Sequence, residues 1–362
     1  MSAVHVPIVD GPKSLAWRHR AINIAIKFIP QFLILKMMEH RYAHLGIEPT
    51  NICNADCTFC GYRFMKQPKS TMSVDLFKKT VDDYASQGGG TLNLTPTVGD
   101  PLVDGKIIEK ISYARSVPQI GSIFLYTNAI LLDKFGYEQV LRSGISRLAI
   151  STYMGSSEGY KRYYQKDEYS RVVRNIIGIL RANKELGTQV KVTLHLRCEG
   201  NESLWKETDE YTEIASLIDP SDISFMKEYD NWGGLIQEDD IPDGTVLQFP
   251  ISVEEKSKSP CFEMYRRIHV LANGNVGVCV CRDLEGEINI GSVEHSTITE
   301  LWQGDKIKEY RSNWTKGILP EVCVECTRYE PVHEFIDANK LGLVRAFVKR
   351  RTREVVLALT RK

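Results

Sequence analysis

The chain has 362 residues, which is too long for one minimal domain and indicates two domains, or one large domain with attachments. Hydrophobic residues make up 43% and charged residues 25%, values that exclude collagen-like, low-complexity and wholly disordered chains. The 46 Lys and Arg residues balance the 46 Asp and Glu residues, so the overall charge predicts no nucleic-acid partner.

The N-terminal segment, residues 1–43, is basic and apolar, and we expect it to be helical. Asn23, Lys27 and Pro30 interrupt its apolar stretch, whereas a membrane-spanning helix needs about 20 apolar residues. The stretch also starts too late for a secretory signal and lacks a cleavage site. The sequence therefore predicts a cytoplasmic protein, whose nine cysteines serve metal or redox chemistry instead of disulfides.

Residues 44–235 alternate short β-rich runs with segments of helical apolar spacing. We predict strands at 44–48, 91–95, 122–127, 147–152, 189–196 and 222–227, and helices that include 74–86, 171–186 and 204–218. This series of βα units predicts an α/β fold with a parallel sheet, either open and doubly wound or an incomplete barrel. In both cases functional residues gather at the carboxyl ends of the strands.

Cys53, Cys57 and Cys60 form a CxxxCxxC motif directly after the first predicted strand. Three thiolates on one short loop can bind three irons of a 4Fe–4S cluster and leave the fourth iron without a protein ligand. That open iron is a place for a cofactor. The alternative is a structural zinc site, although such sites prefer four ligands that come as two CxxC-like pairs.

The segment NICNADCTFC, residues 51–60, resembles the signature of the radical S-adenosylmethionine (SAM) superfamily, and the resemblance extends over about residues 44–330. It implies a partial (β/α)6 barrel in which the amino and carboxylate groups of SAM chelate the open iron. One electron then cleaves SAM to methionine and a 5′-deoxyadenosyl radical, which removes hydrogen from an unactivated carbon. The resemblance also implies an electron donor such as flavodoxin or ferredoxin.

Further residues at strand ends resemble the SAM-binding positions of this superfamily. Residues 97–101, TVGDP, stand where relatives have Gly-Gly-Glu-Pro; the alternative is that they only close a strand-to-helix turn. Arg197 is suited to pair with the SAM carboxylate, because a guanidinium fits a carboxylate bidentately, or it caps its strand at the surface. The predicted cofactor-binding residues are Phe59, Gly99, Asp100, Asn128, Ser151 and Arg197.

Two acidic residues, Glu228 and Asp230, follow the sixth strand and are candidate catalytic bases; the alternative is a solvated acidic loop.

Residues 236–260 are rich in acidic residues, proline and polar residues, and we predict a linker there. A second unit over 261–330 begins with β-rich runs at 267–272 and 276–280, on either side of Asn273-Gly274. This dipeptide is typical of a β-hairpin turn.

The second unit contains cysteines at a spacing that resembles a SPASM domain or its shortened twitch form, which adds an auxiliary 4Fe–4S cluster to radical SAM enzymes. These are Cys261, Cys279, Cys323 and Cys326. Four thiolates suffice for one cluster, so we expect a single auxiliary cluster, with a structural zinc site as the alternative.

Cys281 would share a strand face with Cys279. It is a candidate hydrogen-atom donor, an alternate ligand or a bystander, and its neighbours Arg282 and Asp283 are alternatives to the two candidate bases.

The resemblance favours a small-molecule substrate, because the segment before the barrel is too short for the peptide-binding domain of many peptide-modifying relatives. We expect dehydrogenation or epimerisation of a sugar or an aminocyclitol. A SPASM-type peptide-modifying maturase is the enzymatic alternative, and a zinc-ribbon binding protein is the non-enzymatic one.

Residues 331–362 are predicted to form a basic amphipathic helix, with Leu341, Val344 and Val348 at helical spacing. Such a helix docks on the body of the protein or lies on a membrane surface. In the second case the protein would contact a membrane peripherally, and a lipid-linked glycan becomes a candidate substrate.

Overall fold

The computed structural model describes residues 26, 28–40, 42, 44–200, 202–280 and 282–360, with side chains described up to residue 348 except that of residue 346. Most of the predicted N-terminal segment, and Cys281, lie outside the described residues. The first described helix that has defined bounds, α1, spans Gln31–His40, and the first strand, β1, spans His44–Ile47.

Six parallel strands form the centre of the sheet and follow one another in chain order. After β1 they are Gly90–Asn93 (β2), Ile120–Thr127 (β3), Arg147–Tyr153 (β4), Lys191–Arg197 (β5) and Ile223–Phe225 (β6). Each overlaps one predicted strand, which confirms the predicted α/β fold. The sheet is open, because β6 lies at its edge and does not return to β1.

Helices connect these strands. They are Val74–Ser86 (α2), Ile107–Ser116 (α3), Leu132–Phe135 (α4), Tyr137–Arg142 (α5), Ser157–Tyr164 (α6), Tyr169–Glu185 (α7), Glu202–Lys206 (α8) and Asp209–Leu217 (α9). The predicted helix over 204–218 is wrong in one respect, because it is divided into α8 and α9. The division lies at Thr208, whose hydroxyl accepts a hydrogen bond from the backbone N–H of Tyr211 and so caps a new helix.

The rest of the chain continues with short elements. Glu228–Tyr229 (β7) and Val246–Leu247 (β8) pair in a separate two-stranded sheet. They are followed by Val253–Ser257 (α10), Glu263–Arg266 (α11), Arg267–Val270 (β9), Asn275–Gly277 (β10), Asn289–Ser292 (β11), Ile298–Gln303 (α12), Asp305–Trp314 (α13), Glu321–Val324 (α14) and Val332–Thr360 (α15).

The predicted hairpin is confirmed, and it extends the main sheet. Strands β9 and β10 are antiparallel, and Gly274 in their turn has a φ of +84°. Strand β9 also pairs in parallel with β1, placing Ile268 opposite Leu45, so the sheet has nine strands. A Cβ atom at Gly46 would lie 2.3 Å from Nδ1 of His269, so this pairing requires glycine there. The six parallel strands and the second unit therefore share one open sheet.

The C-terminal helix α15 packs against α1. Ile336, Val344 and Phe347 are buried, whereas Leu341 and Val348 are exposed. Of the two predicted alternatives, the described side chains of this helix show docking on the body of the protein. No helix in the described part of the chain is long and apolar enough to cross a membrane.

Glu48, directly after β1, joins three segments of the fold. Its buried carboxylate accepts hydrogen bonds from the backbone N–H of Thr97, which follows β2, and of Ala272, in the hairpin turn, both at 3.2 Å. Burial raises the pKa of Glu48 to about 7, and the two hydrogen bonds oppose that shift. The residue therefore ties the hairpin to the strand that precedes the cysteine motif.

We expect Glu48→Ala to lower the free energy of unfolding by about 2–4 kcal/mol, because two buried N–H groups lose their acceptor. A carboxyl group with a pKa of about 7 when folded and 4.5 when unfolded takes up a proton on folding between those values. The stability of the wild type should therefore fall as pH rises from 4.5 to 7, and the variant should lack this component.

Denaturant unfolding of the metal-free chain at several pH values measures both effects. Glu294→Ala, which removes an exposed glutamate near the same hairpin, is the matched control. An unchanged pH dependence in Glu48→Ala would contradict the assignment.

Candidate active site

One cavity of about 480 Å³ lies at the carboxyl ends of the parallel strands. It brings together every predicted cofactor-binding residue, both predicted bases and the whole cysteine triplet. The predicted residues that line it are Cys53, Cys57, Phe59, Cys60, Gly99, Asp100, Asn128, Ser151, Arg197, Glu228 and Asp230. Cys281, the third candidate catalytic residue, lies outside the described residues. The volume is in the usual range for a small-molecule site.

The cysteine triplet lies on the loop that follows β1. The backbone N–H of Thr58 donates to the carbonyl of Tyr163 at 2.9 Å, which fixes this loop on α6. Burial raises the pKa of Cys53 to about 12 and raises the pKa of Cys57 and Cys60. Such thiols become ligands only when a cationic centre displaces their protons, so their setting fits a metal cluster.

Asp100 joins the ends of two strands. Its buried carboxylate accepts hydrogen bonds from the hydroxyl of Thr127 at 2.8 Å and the backbone N–H of Asn128 at 2.7 Å. Gly99 beside it has a φ of +119°, and a Cβ atom there would lie 2.9 Å from the carbonyl carbon of Asn51. The carboxylate is thus engaged within the chain, and direct contact of Asp100 with SAM stays a prediction.

Arg197, at the end of β5, lies in the wall of the cavity. Its guanidinium donates to the hydroxyl of Ser151 at 2.6 Å and lies 4.7 Å from the ring centre of Phe59. Nε of Arg197 is buried without a hydrogen-bond partner, and no carboxylate lies within 4 Å of the guanidinium among the described side chains. This arrangement suits an anionic group of a bound molecule.

The two candidate bases differ in their surroundings. Asp230 forms an ion pair with Arg282, and both side chains are less than one fifth exposed. Arg282 also lies 4.2 Å from the ring centre of Trp232. Glu228 is exposed and accepts a hydrogen bond from the side chain of Gln248 at 2.8 Å. Of the two, Asp230 is therefore the one held in a fixed position.

Arg282 lies close to both cysteine groups. Burial raises the pKa of Cys60 and of Cys326, and the positive charge of Arg282 opposes the shift at both thiols. Asp230 raises the pKa of the same two thiols. The charges of the ion pair thus act on a thiol of each cysteine group.

The remaining predicted ligands form a second, separate group. Cys261, Cys279, Cys323 and Cys326 line one small cavity together with Trp314 and Tyr329. Burial raises the pKa of Cys323, and the other three cysteines raise it further. The backbone N–H of Arg328 donates to Sγ of Cys326 at 3.3 Å. One buried and three partly buried thiols that line one cavity, with a backbone donor to Cys326, suit an iron–sulfur cluster.

Sequence reasoning missed His195, which also lines the main cavity. Burial lowers its pKa to about 4, so the imidazole is neutral at pH 7. It bonds to the hydroxyl of Ser224 at 3.0 Å and contacts the Tyr126 ring. The missed signal is the alternation of polar residues at 193, 195 and 197 in an otherwise apolar strand, which predicts one shared face.

Comparison with protein families agrees with this geometry. Residues 47–209 match the radical SAM superfamily, and residues 261–327 match SPASM, an iron–sulfur cluster-binding domain. Together the two matches cover more than half of the chain, which belongs to the radical SAM superfamily. More particularly, it is a radical SAM protein with a SPASM domain. This pair of domains implies a SAM-binding 4Fe–4S cluster, auxiliary iron–sulfur clusters and SAM itself as cofactors.

Curated relatives match part of the chain. A GTP 3′,8-cyclase of Alkaliphilus metalliredigens is 27% identical over 189 residues, which are 51% of this chain and 55% of the relative. A GTP 3′,8-cyclase of Petrotoga mobilis is 28% identical over 137 residues, which are 37% of this chain and 41% of the relative. The chain thus spans about half the length of these relatives.

Solved structures show the same fold. BtrN, in complex with AdoMet and 2-DOIA, is 17% identical with a TM-score of 0.53, and the match covers 81% of this chain and 95% of BtrN. SuiB of Streptococcus suis, bound to the precursor peptide SuiA, is 12% identical with a TM-score of 0.53 and covers 85% and 74%. At these identities the likeness concerns the fold alone.

Proposed function

We propose that this radical SAM enzyme removes a hydrogen atom from a carbon of a small polar substrate of the sugar or aminocyclitol type. The observation that carries the proposal is the Asp230–Arg282 ion pair. It lines the same cavity as the first cysteine group, and its charges also act on Cys326 of the second group. A substrate bound at this pair would share the cavity of the first predicted cluster site and lie within electrostatic reach of the second.

The chain's own residues have distinct proposed roles. Arg197, with Ser151, binds the carboxylate of SAM, and Phe59 packs against that guanidinium. When bound, SAM and the first cluster supply the hydrogen-abstracting radical, and an auxiliary cluster supplies an acceptor for one electron. Asp230 accepts the proton of a substrate hydroxyl group, and Arg282 holds the carboxylate of Asp230 in place. Glu228, which is more exposed, is the alternative base.

Two outcomes are proposed for the substrate. In dehydrogenation, the carbon loses a hydrogen atom, the hydroxyl loses a proton to Asp230, and one electron leaves, so that a ketone forms. In epimerisation, a thiol returns a hydrogen atom to the other face of the same carbon, and Cys281 is the candidate donor. Asp230 is the group in this cavity that favours dehydrogenation.

The proposed setting is the cytoplasm, with a one-electron donor such as flavodoxin or ferredoxin. A lipid-linked glycan would replace the free sugar only if the C-terminal helix bound a membrane. A peptide substrate, the maturase alternative, would have to reach the same ion pair.

Isotope labelling tests the substrate class. Anaerobically purified enzyme is incubated with SAM, a reductant and a panel of sugars, aminocyclitols and peptides that carry deuterium on carbon. We expect deuterium to pass from one sugar or aminocyclitol into 5′-deoxyadenosine, with a ketone as product. In a parallel reaction of unlabelled substrates in deuterated water, deuterium at the reacting carbon of the product would instead indicate epimerisation. Transfer from peptides alone would contradict the proposal.

A further inference from the structure

Two lysines are fully buried among the described residues, and their surroundings differ. Nζ of Lys110 lies 2.6 Å from the carboxylate of Asp104, so its charge is paired. Lys256, on α10, has no carboxylate within 4 Å among the described side chains. A buried ammonium without an anion is costly, because it loses its hydration and gains no opposite charge. The structure thus leaves the charge of Lys256 to be balanced by something else.

Lys256 is fixed against the second cysteine group. Its Nζ donates to the carbonyl oxygens of Cys323 at 3.1 Å and of Val324 at 2.6 Å, both on α14. Its own carbonyl oxygen accepts hydrogen bonds from Nε1 of Trp314 and the hydroxyl of Tyr329, both at 2.9 Å. These two aromatic side chains line the cavity that the four cysteines share. The two bonds from Nζ therefore hold the ammonium on the helix that carries Cys323.

The charge of the predicted centre complements this lysine. A 4Fe–4S cluster bound by four thiolates has a net negative charge, and net charge near a cluster is one of the factors that set its reduction potential. Glu325, which directly follows α14, also has a negative charge. It is exposed, so solvent screens its attraction to Lys256. The thiols of Cys326, Cys323 and Cys261, once deprotonated by a bound cluster, are therefore the less exposed negative charges that act on Lys256.

We propose that Lys256 is the buried counter-cation of the auxiliary iron–sulfur cluster, where it stabilises the cluster in its site and favours the more negative, reduced form. It is a positioning residue, because it acts through the cluster and does not touch the substrate. The proposal rests on the predicted ligands Cys261, Cys279, Cys323 and Cys326, and not on the identity of the substrate. Lys256 thus has a proposed function, although it lies in residues 236–260, which the sequence predicts only as a linker.

A redox titration followed by electron paramagnetic resonance tests the proposal. It is made on the full, iron-loaded chain carrying Cys57→Ala, so that the auxiliary cluster is observed without the first cluster. We expect Lys256→Met to shift the one-electron reduction equilibrium at least about tenfold toward the oxidised form, which is about 59 mV to lower potential. Lys256→Gln, which keeps a hydrogen-bond donor but no charge, should shift it in the same direction. Lys258→Met, at an exposed position, should leave it unchanged.

A stability measurement separates the charge from packing. Lys256→Met should destabilise the iron-loaded chain more than the metal-free chain, because the variant loses the attraction between lysine and cluster. Lys110→Met, which leaves Asp104 unpaired, should destabilise both forms equally. An unchanged potential in a loaded Lys256→Met or Lys256→Gln protein, or equal destabilisation of both forms, would overturn the proposal. Because neither measurement uses SAM or substrate, failure of the proposed reaction would not affect the result.

Discussion

Replacing Cys57 with alanine is expected to abolish the formation of 5′-deoxyadenosine. Cys57 lies in the middle of the triplet and lines the main cavity with Cys53 and Cys60. With two thiolates left, the first cluster loses the ligand set that holds three irons and leaves the fourth open. The iron content should fall from about eight to about four per chain, since the auxiliary cluster keeps its own four cysteines.

Iron analysis and chromatography of the reaction with a strong reductant measure both effects. Cys198→Ala is the matched control, because Cys198 is partly exposed and lines neither cysteine cavity. It should retain iron and SAM cleavage. Substantial deoxyadenosine from Cys57→Ala would show that the triplet is not the SAM-binding centre.

The second large effect is expected from Asp230→Asn. This variant keeps an acceptor for the backbone N–H of Trp232 but removes the charge that pairs with Arg282. Product formation should fall by about 10²–10⁴-fold, the usual contribution of a general base, while SAM cleavage continues without coupling to product. The ratio of deoxyadenosine to product is therefore the measurement that separates the two steps.

Glu228→Gln provides the comparison for Asp230→Asn. Glu228 lines the same cavity but is exposed and bonded to Gln248, so this variant should lose less than about tenfold in product. If Glu228→Gln lost as much product as Asp230→Asn, or if Asp230→Asn kept a normal ratio, the role of Asp230 as the base would be wrong.

Much of the active-site wall could be predicted from sequence because it depends on local pattern. Parallel strands end at one edge of the sheet, so residues such as Asn128, Ser151 and Arg197, each at a strand end, converge whatever the distance between them in the chain. The hairpin is equally local, since Asn273-Gly274 determines its turn.

The contacts between distant segments could not be predicted from the sequence. The pairing of β1 with β9 joins residues more than 200 positions apart, and no periodicity encodes it. The hydrogen bonds of Glu48 and Lys256 depend on which backbone groups meet in the folded chain. A buried charge can be recognised only once its neighbours are known, and for this reason Lys256 is indistinguishable in sequence from the exposed Lys258.

The most direct test of the central claim is whether SAM binds the cluster held by Cys53, Cys57 and Cys60 through its amino and carboxylate groups. SAM labelled with ¹⁵N in the amino group and ¹⁷O in the carboxylate is added to the reduced wild-type enzyme. Electron–nuclear double resonance should then show coupling of both nuclei to the cluster. No coupling to either nucleus, together with no release of 5′-deoxyadenosine, would contradict the account.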